Sequence, residues 1–145
     1  MGRGSAAHKA WCHFDHDADI GVVGTGPSPE AAFVAAAEGM MAIVCDPDTV
    51  AELNAIVITC EAPNLSLLFV DWLNALVFEM ATRRMLFRRF EVTLDDSRLS
   101  ATAWGEVGEV ARHRPAVEIK GATYTALKVA QGDDGRWSAQ CVVDV

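Results

Sequence analysis

The chain has 145 residues, 51% of them hydrophobic and 22% charged, with a formal net charge of −8. That length fits one domain able to bury about 70% of the surface its unfolded form exposes, so a core can form without disulfide or metal staples. The acidic balance argues against broad, sequence-independent nucleic-acid binding, which needs Lys and Arg to neutralise phosphates, and the composition is not that of a disordered tail.

Residues 1–10 are small and polar without an apolar leader segment, and are expected to be disordered. No later run reads as long enough to span a membrane, which points to a soluble, cytoplasmic protein. Short alternation over 11–14 and a compact apolar run over 20–23, closed by Gly24-Thr25-Gly26-Pro27, predict two strands flanking an acidic cluster. Ser28 can cap a helix that begins at Pro29, whose missing N–H costs nothing there, and Glu30 suits the positive end of the helix dipole. Phe33, Ala36, Ala37, Met40, Met41 and Val44 recur at three- and four-residue spacing, predicting a helix over about 29–44 with one apolar stripe.

Cys45-Asp46-Pro47-Asp48 breaks that helix, and the β-branched run 55–60 predicts a strand. Asn64 then caps the most periodic segment of the chain, with Leu65, Leu68, Phe69, Trp72, Leu73, Leu76, Val77 and Met80 on one face and Arg83-Arg84 at its end. Only strand signals follow: 85–94 and 99–107 joined at Asp95-Asp96-Ser97, then a polar loop through Arg112-His113-Arg114-Pro115. Strands over 117–120, 124–129 and 137–143 complete the list. Seven or eight strands with two long helices inserted early predict a single α+β domain over 11–145, with small, mostly antiparallel sheets packed against the helices.

Cys12, Cys45, Cys60 and Cys141 form no C-x-x-C pair and no zinc spacing, so each reads as a reduced, buried small hydrophobe. The cations Arg83-Arg84, Arg88-Arg89, Arg112, Arg114, Lys120 and Lys128 are either docking patches or a solvated face. Nucleophile elbow, phosphate loop and dinucleotide fingerprint are all absent.

Chemistry concentrates in Asp15, His16, Asp17 and Asp19, three carboxylates and an imidazole within five positions. Like charges this close repel one another unless a cation or N–H groups compensate. Carboxylate oxygens select hard cations, calcium or magnesium, yet one short cluster offers too few of them. Asp144, after an apolar strand and next to the terminal carboxylate on Val145, is the candidate remote ligand. The alternative stays open that Asp15, Asp17 and Asp19 are turn formers and Asp144 a solvated end. Glu118 and Lys120 fall on one face of a predicted strand and can simply pair.

Taken in order, several segments resemble the archease family over nearly the whole chain. They are Asp15-His16-Asp17-Ala18-Asp19-Ile20-Gly21, Ser28-Pro29-Glu30-Ala31-Ala32-Phe33, Val70-Asp71-Trp72-Leu73-Asn74 and Leu86-Phe87-Arg88-Arg89-Phe90, then His113-Arg114-Pro115 through Val117-Glu118-Ile119-Lys120-Gly121-Ala122-Thr123-Tyr124, and the closing Asp144-Val145. Each is weak singly; their order and spacing together are specific. The resemblance implies an accessory protein, not an enzyme in its own right. It would act on the GTP-dependent RNA ligase that joins 3′-phosphate or cyclic-phosphate ends to 5′-hydroxyl ends in tRNA splicing and RNA repair. On that reading it promotes guanylylation of the ligase, allows multiple turnover and broadens nucleotide use. RNA is met only through the ligase, and neither DNA nor a membrane is a partner.

The resemblance also implies a divalent-metal site, calcium first with magnesium or manganese as alternatives, on Asp19, Asp144 and the main chain of Val145. His16, Asp15 and Asp17 would support it, and His113, Arg114, Glu118, Lys120 and Tyr124 would contact the ligase. Two positions depart from the family's pattern: Asp17 stands where Thr is usual, and Thr125 where His is usual after Tyr124. Two other readings are a stand-alone metal-dependent hydrolase using Asp19, His16 and Asp144, and a chaperone-like binding module.

Overall fold

Two capped helices frame the molecule. Ser28 is extended, with φ −145°, and its hydroxyl accepts the Ala31 N–H at 3.1 Å, which starts a helix with proline in its first turn. Asn64 repeats the device, its Oδ1 accepting the Leu67 N–H at 2.9 Å. A computed structural model describes residues 10–145. In chain order its elements are β1 (Trp11–His16), β2 (Asp19–Gly26), α1 (Pro29–Val44), β3 (Asn54–Glu61), α2 (Leu65–Arg83), β4 (Met85–Asp95) and β5 (Arg98–Val107). After them come α3 (Val110–His113), β6 (Gly121–Ala122), β7 (Lys128–Gln131) and β8 (Trp137–Asp144), with a 3₁₀ turn over Pro47–Thr49.

The strands form two antiparallel sheets, as expected of an α+β domain. One runs β1-β2-β8, with β6 and β7 end to end along the far edge of β8; the other runs β3-β5-β4. Both helices lie between them: α1 touches β1, β2 and β8 on one side and β4 on the other, and α2 touches strands of both sheets. This placement explains a difference from the sequence reading. α1 was expected to carry one apolar stripe, but Ala35 and Gly39 are buried along with Ala32, Phe33, Ala36, Met40 and Met41, because a helix packed on two faces must be apolar nearly all round. Trp72 ties the layers together. Fully buried on α2, it donates its indole N–H to the Phe33 carbonyl of α1 at 3.0 Å and meets Phe90 of β4 edge-on, centroids 6.0 Å apart.

Four further expectations are corrected. Residues 117–120 form no strand: Ala116 N–H donates to the Val44 carbonyl at 2.7 Å and Lys120 N–H to the Asp144 carbonyl at 2.8 Å, so the segment is pinned at its ends with no ladder between. The predicted strand over 124–129 is broken by a turn at 124–127, closed by Leu127 N–H to the Tyr124 carbonyl with Ala126 at φ 56°, and pairing resumes only in β7. Cys12 is exposed and Cys60 half-buried; only Cys45 and Cys141 are core thiols, and desolvation pushes Cys141 up to about 12. The 19-residue α2, with mean hydropathy 1.4, is long and apolar enough to cross a membrane by length and composition. Its Leu68, Phe69, Trp72, Leu73 and Leu76 are instead fully buried in the core. The disorder expected of residues 1–10 lies outside the described residues except at Ala10, whose carbonyl accepts the Thr25 N–H at 2.8 Å.

Candidate functional site

Strand register builds the site. β1 and β2 form a hairpin whose last pair is His16 opposite Asp19, so Asp17-Ala18 is a two-residue loop. Asp17 sits there at φ 53°, a left-handed conformation that Asp tolerates better than most residues. β2 pairs with β8 through Ile20 opposite Val143, and one step further along that register Asp19 faces Asp144. Gly121 of β6 lies opposite Asp144 on the other side. A row His16, Asp19, Asp144, Gly121 therefore crosses four strands at one end of the sheet, and directly opposite residues share a face. Asp19 Oδ1 accepts the Val145 N–H at 3.3 Å, joining positions 126 apart in sequence.

The β2–β8 register thus brings the Asp19 and Asp144 positions to one end of the sheet. Asp144 is exposed and Asp19 half-buried, and Asp19 keeps carboxylate lone pairs beyond the one used by Val145. Oxygen donors of this kind fit a hard divalent cation that keeps part of its water shell, not zinc. No group of three His, Cys, Asp or Glu side chains suited to a metal exists among the described residues, so main-chain oxygen and water would have to complete the shell. Asp17 stands at the turn tip with its side chain 93% exposed, 3.9 Å from His16 Nδ1, and Asp15 is exposed on the neighbouring strand position.

Asn74 supports this end of the sheet in a way its sequence position did not disclose. From α2 it accepts the Ala122 N–H through Oδ1 at 2.8 Å and donates to the Ala122 carbonyl at 3.2 Å, acting as a strand edge for β6. Replacement by alanine strands both groups, and urea unfolding should report a loss of about 1–3 kcal/mol for Asn74→Ala. A change below a few tenths would show that water takes over both bonds.

The remaining expected contacts divide. Arg114, Glu118, Lys120 and Tyr124 are exposed, with Tyr124 at 68%, and Thr125 is exposed beside it. Glu118 and Lys120 form no ion pair with each other among the described residues. His113, expected on the contacting surface, is instead enclosed. Its Nδ1 accepts the Glu109 N–H at 2.8 Å, which places the ring proton on Nε2, donated to Glu106 at 2.9 Å. Glu106 is itself buried and binds Arg112 through both oxygens at 2.7 Å and the Ala51 N–H at 2.7 Å. The Arg112 bonds first, then Ala51 and His113, hold this carboxyl well below the usual carboxylate range. No sequence pattern marked Glu106, since its partners come from two other segments, at Ala51 and at Arg112-His113.

A depressed folded-state value means that this stabilisation is complete above the unfolded carboxyl's pKa of about 4.3 and is lost as pH falls below it. Glu106→Gln should therefore lower stability near neutrality and flatten the fall between about pH 5 and about pH 3 in denaturant melts. Parallel pH profiles for variant and wild type would contradict it. Several of the cations read as patches are also committed: Arg83 to Glu79, Arg88 to Asp48, Arg89 to Glu52 and Glu91 with its guanidinium 3.5 Å from the Trp104 ring centroid, and Arg112 to Glu106.

Comparison with known proteins agrees with this layout. Residues 11–145 match the model of the Archease protein family (MTH1598/TM1083). The chain is 33% identical to the protein archease of Pyrococcus abyssi over 141 residues, covering 94% of this chain and 99% of that one, and 34% identical to that of Thermococcus gammatolerans with the same coverage. The solution structure of Methanobacterium thermoautotrophicum protein 1598 superposes with a TM-score of 0.83 at 28% identity, over 95% of this chain and all of that one. A crystal structure from Thermotoga maritima, described as an archease and possible chaperone, shares the fold with a TM-score of 0.62 at 18% identity, over 91% of this chain and 94% of that one. A match that runs from the first residue of β1 to the residue whose N–H closes onto Asp19 spans both halves of the acidic row, and the chain belongs to the archease family.

Proposed function

We propose that this protein is an accessory factor of a GTP-dependent RNA ligase, acting in the cytoplasm during tRNA splicing or RNA repair. It promotes guanylylation of the ligase and multiple turnover and broadens nucleotide use, with no reaction of its own. Asp19, Asp144 and the main chain at Val145 hold a divalent cation, calcium first, which when bound supplies positive charge for phosphate oxygens. The observation that carries the reading is the convergence of Asp19 and Asp144 at an exposed sheet end, from opposite ends of the sequence. The net charge of −8 supports protein docking over direct RNA binding.

The chain's own residues do the positioning. Val145 N–H fixes the Asp19 carboxylate, Lys120 N–H fixes the Asp144 main chain, and the Asn74 clasp holds β6 against β8. The test is transfer of GMP to the ligase of the same organism with and without the purified protein. Faster guanylylation and more than one ligation product per ligase are expected only with it; equal rates would refute the reading.

A further inference from the structure

A groove of about 260 Å³, lined by none of the residues of the acidic row, opens where the ends of α1 and α2 meet the segment 108–119. Its walls include Val77, Met80, Met85, Leu86, Val110 and Ile119. Seven large hydrophobic side chains are exposed among the described residues, and two of them line this groove. They are Val110, 79% exposed, and Val117, and exposed Val107 pairs with the lining Met85 across β4 and β5. Exposed apolar surface concentrated in this way marks a contact site.

Charge selects the occupant. Of the ten described Lys and Arg residues, five are held in ion pairs: Arg83, Arg88, Arg89, Arg98 and Arg112. Of the five without one, Arg84 lines the groove, and Arg114 and Lys120 flank the lining stretch 115–119 in the chain. In the lining Glu118 balances Arg84, and Glu109 beside Val110 is paired with Arg112, so Arg114 and Lys120 leave the rim net positive in a molecule of charge −8. A second copy would bring these same cations face to face, which disfavours self-association through this surface. RNA would find aliphatic walls without aromatic rings to stack on.

We infer that the groove receives an apolar segment bearing Asp or Glu from the partner ligase, docking the two proteins through residues other than the metal ligands. This rests on the reading of the protein as a ligase activator. Apolar side chains of the segment fill the space between Met80, Met85 and Val110, and its carboxylates face Arg84 and the cations beside it. The fastening of 109–113 through Glu106 keeps that wall in place.

Val110→Glu and Arg84→Glu test it, because both side chains are exposed and neither is a metal-site residue. Each should weaken binding to the purified ligase about tenfold by biolayer interferometry, with melting temperature unchanged. A photo-crosslinker at position 110 should join a ligase segment rich in apolar and acidic residues. Undiminished binding by both variants, or crosslinks to RNA or to a second copy of the chain, would overturn the inference while leaving activation standing. A wild-type protein that neither binds nor stimulates the ligase would instead overturn the activator reading, and this inference with it.

Discussion

Adding one methyl group at Gly24 is expected to cost about 3 kcal/mol or more and to lower the melting temperature by about 10 °C. A Cβ built there would lie 2.2 Å from the Ala32 carbonyl oxygen and 2.3 Å from the Ala36 nitrogen, both on the α1 backbone. Main chain in the middle of a helix cannot swing aside. Nor can α1 retreat as a body, because β4 packs against its other side. Gly21 supplies the control within the same strand. A Cβ there meets the Phe14 ring at 2.1 Å, and a half-buried side chain near a sheet edge can rotate away. Gly21→Ala should therefore cost clearly less than Gly24→Ala in the same denaturant titration. Equal losses, or a Gly24→Ala variant within about 1 kcal/mol of wild type, would show that the helix and sheet slide apart more easily than close packing allows.

The contrast also shows which parts of the fold are legible locally. Ser28 and Asn64 announce their helices because a cap acts within three residues, and both bonds form as read. Two of the hairpins are equally local: Asp17 and Asp96 each take a left-handed conformation at the first loop position. What escapes is whatever depends on the neighbour. Residues 117–120 have strand-like composition but no strand beside them, since β6 and β7 lie along the far edge of β8. The doubly covered α1 looks amphipathic until a second sheet is placed on it. Glu106 is silent because Ala51, Arg112 and His113 meet it only after β5 and α3 are in position. His113 was legible as a chemically distinctive residue, but whether it faces solvent or a buried carboxylate depends on the same packing. The Asp19 and Asp144 pair was reachable from sequence because both stand beside strongly apolar strands and family resemblance links them. Their facing positions follow only from the β2 and β8 register.

That register makes the sharpest functional expectation one of non-additivity. Asp19→Ala and Asp144→Ala should each reduce stimulation of ligase guanylylation about tenfold or more, and the double variant should be no worse than either single change. Two carboxylates that share one cation fail together, whereas independent contacts would multiply their losses to about a hundredfold. Alanine at 19 also removes the acceptor of the Val145 N–H, so a fall in activity could come from fraying of the β8 end. Asp19→Asn separates the causes, since the amide oxygen still accepts that N–H while the negative charge is gone. It should keep the wild-type melting temperature without calcium and lose the calcium-dependent rise expected of the wild type, along with the stimulation. Asp17→Asn, which removes the charge and keeps the left-handed turn, should leave the calcium-dependent rise and the stimulation intact, because that side chain stands at the turn tip, 93% exposed and outside the row formed by His16, Asp19 and Asp144. Multiplicative losses in the double variant, or full stimulation by Asp19→Asn, would mean that the two carboxylates act separately on the ligase and hold no common ion.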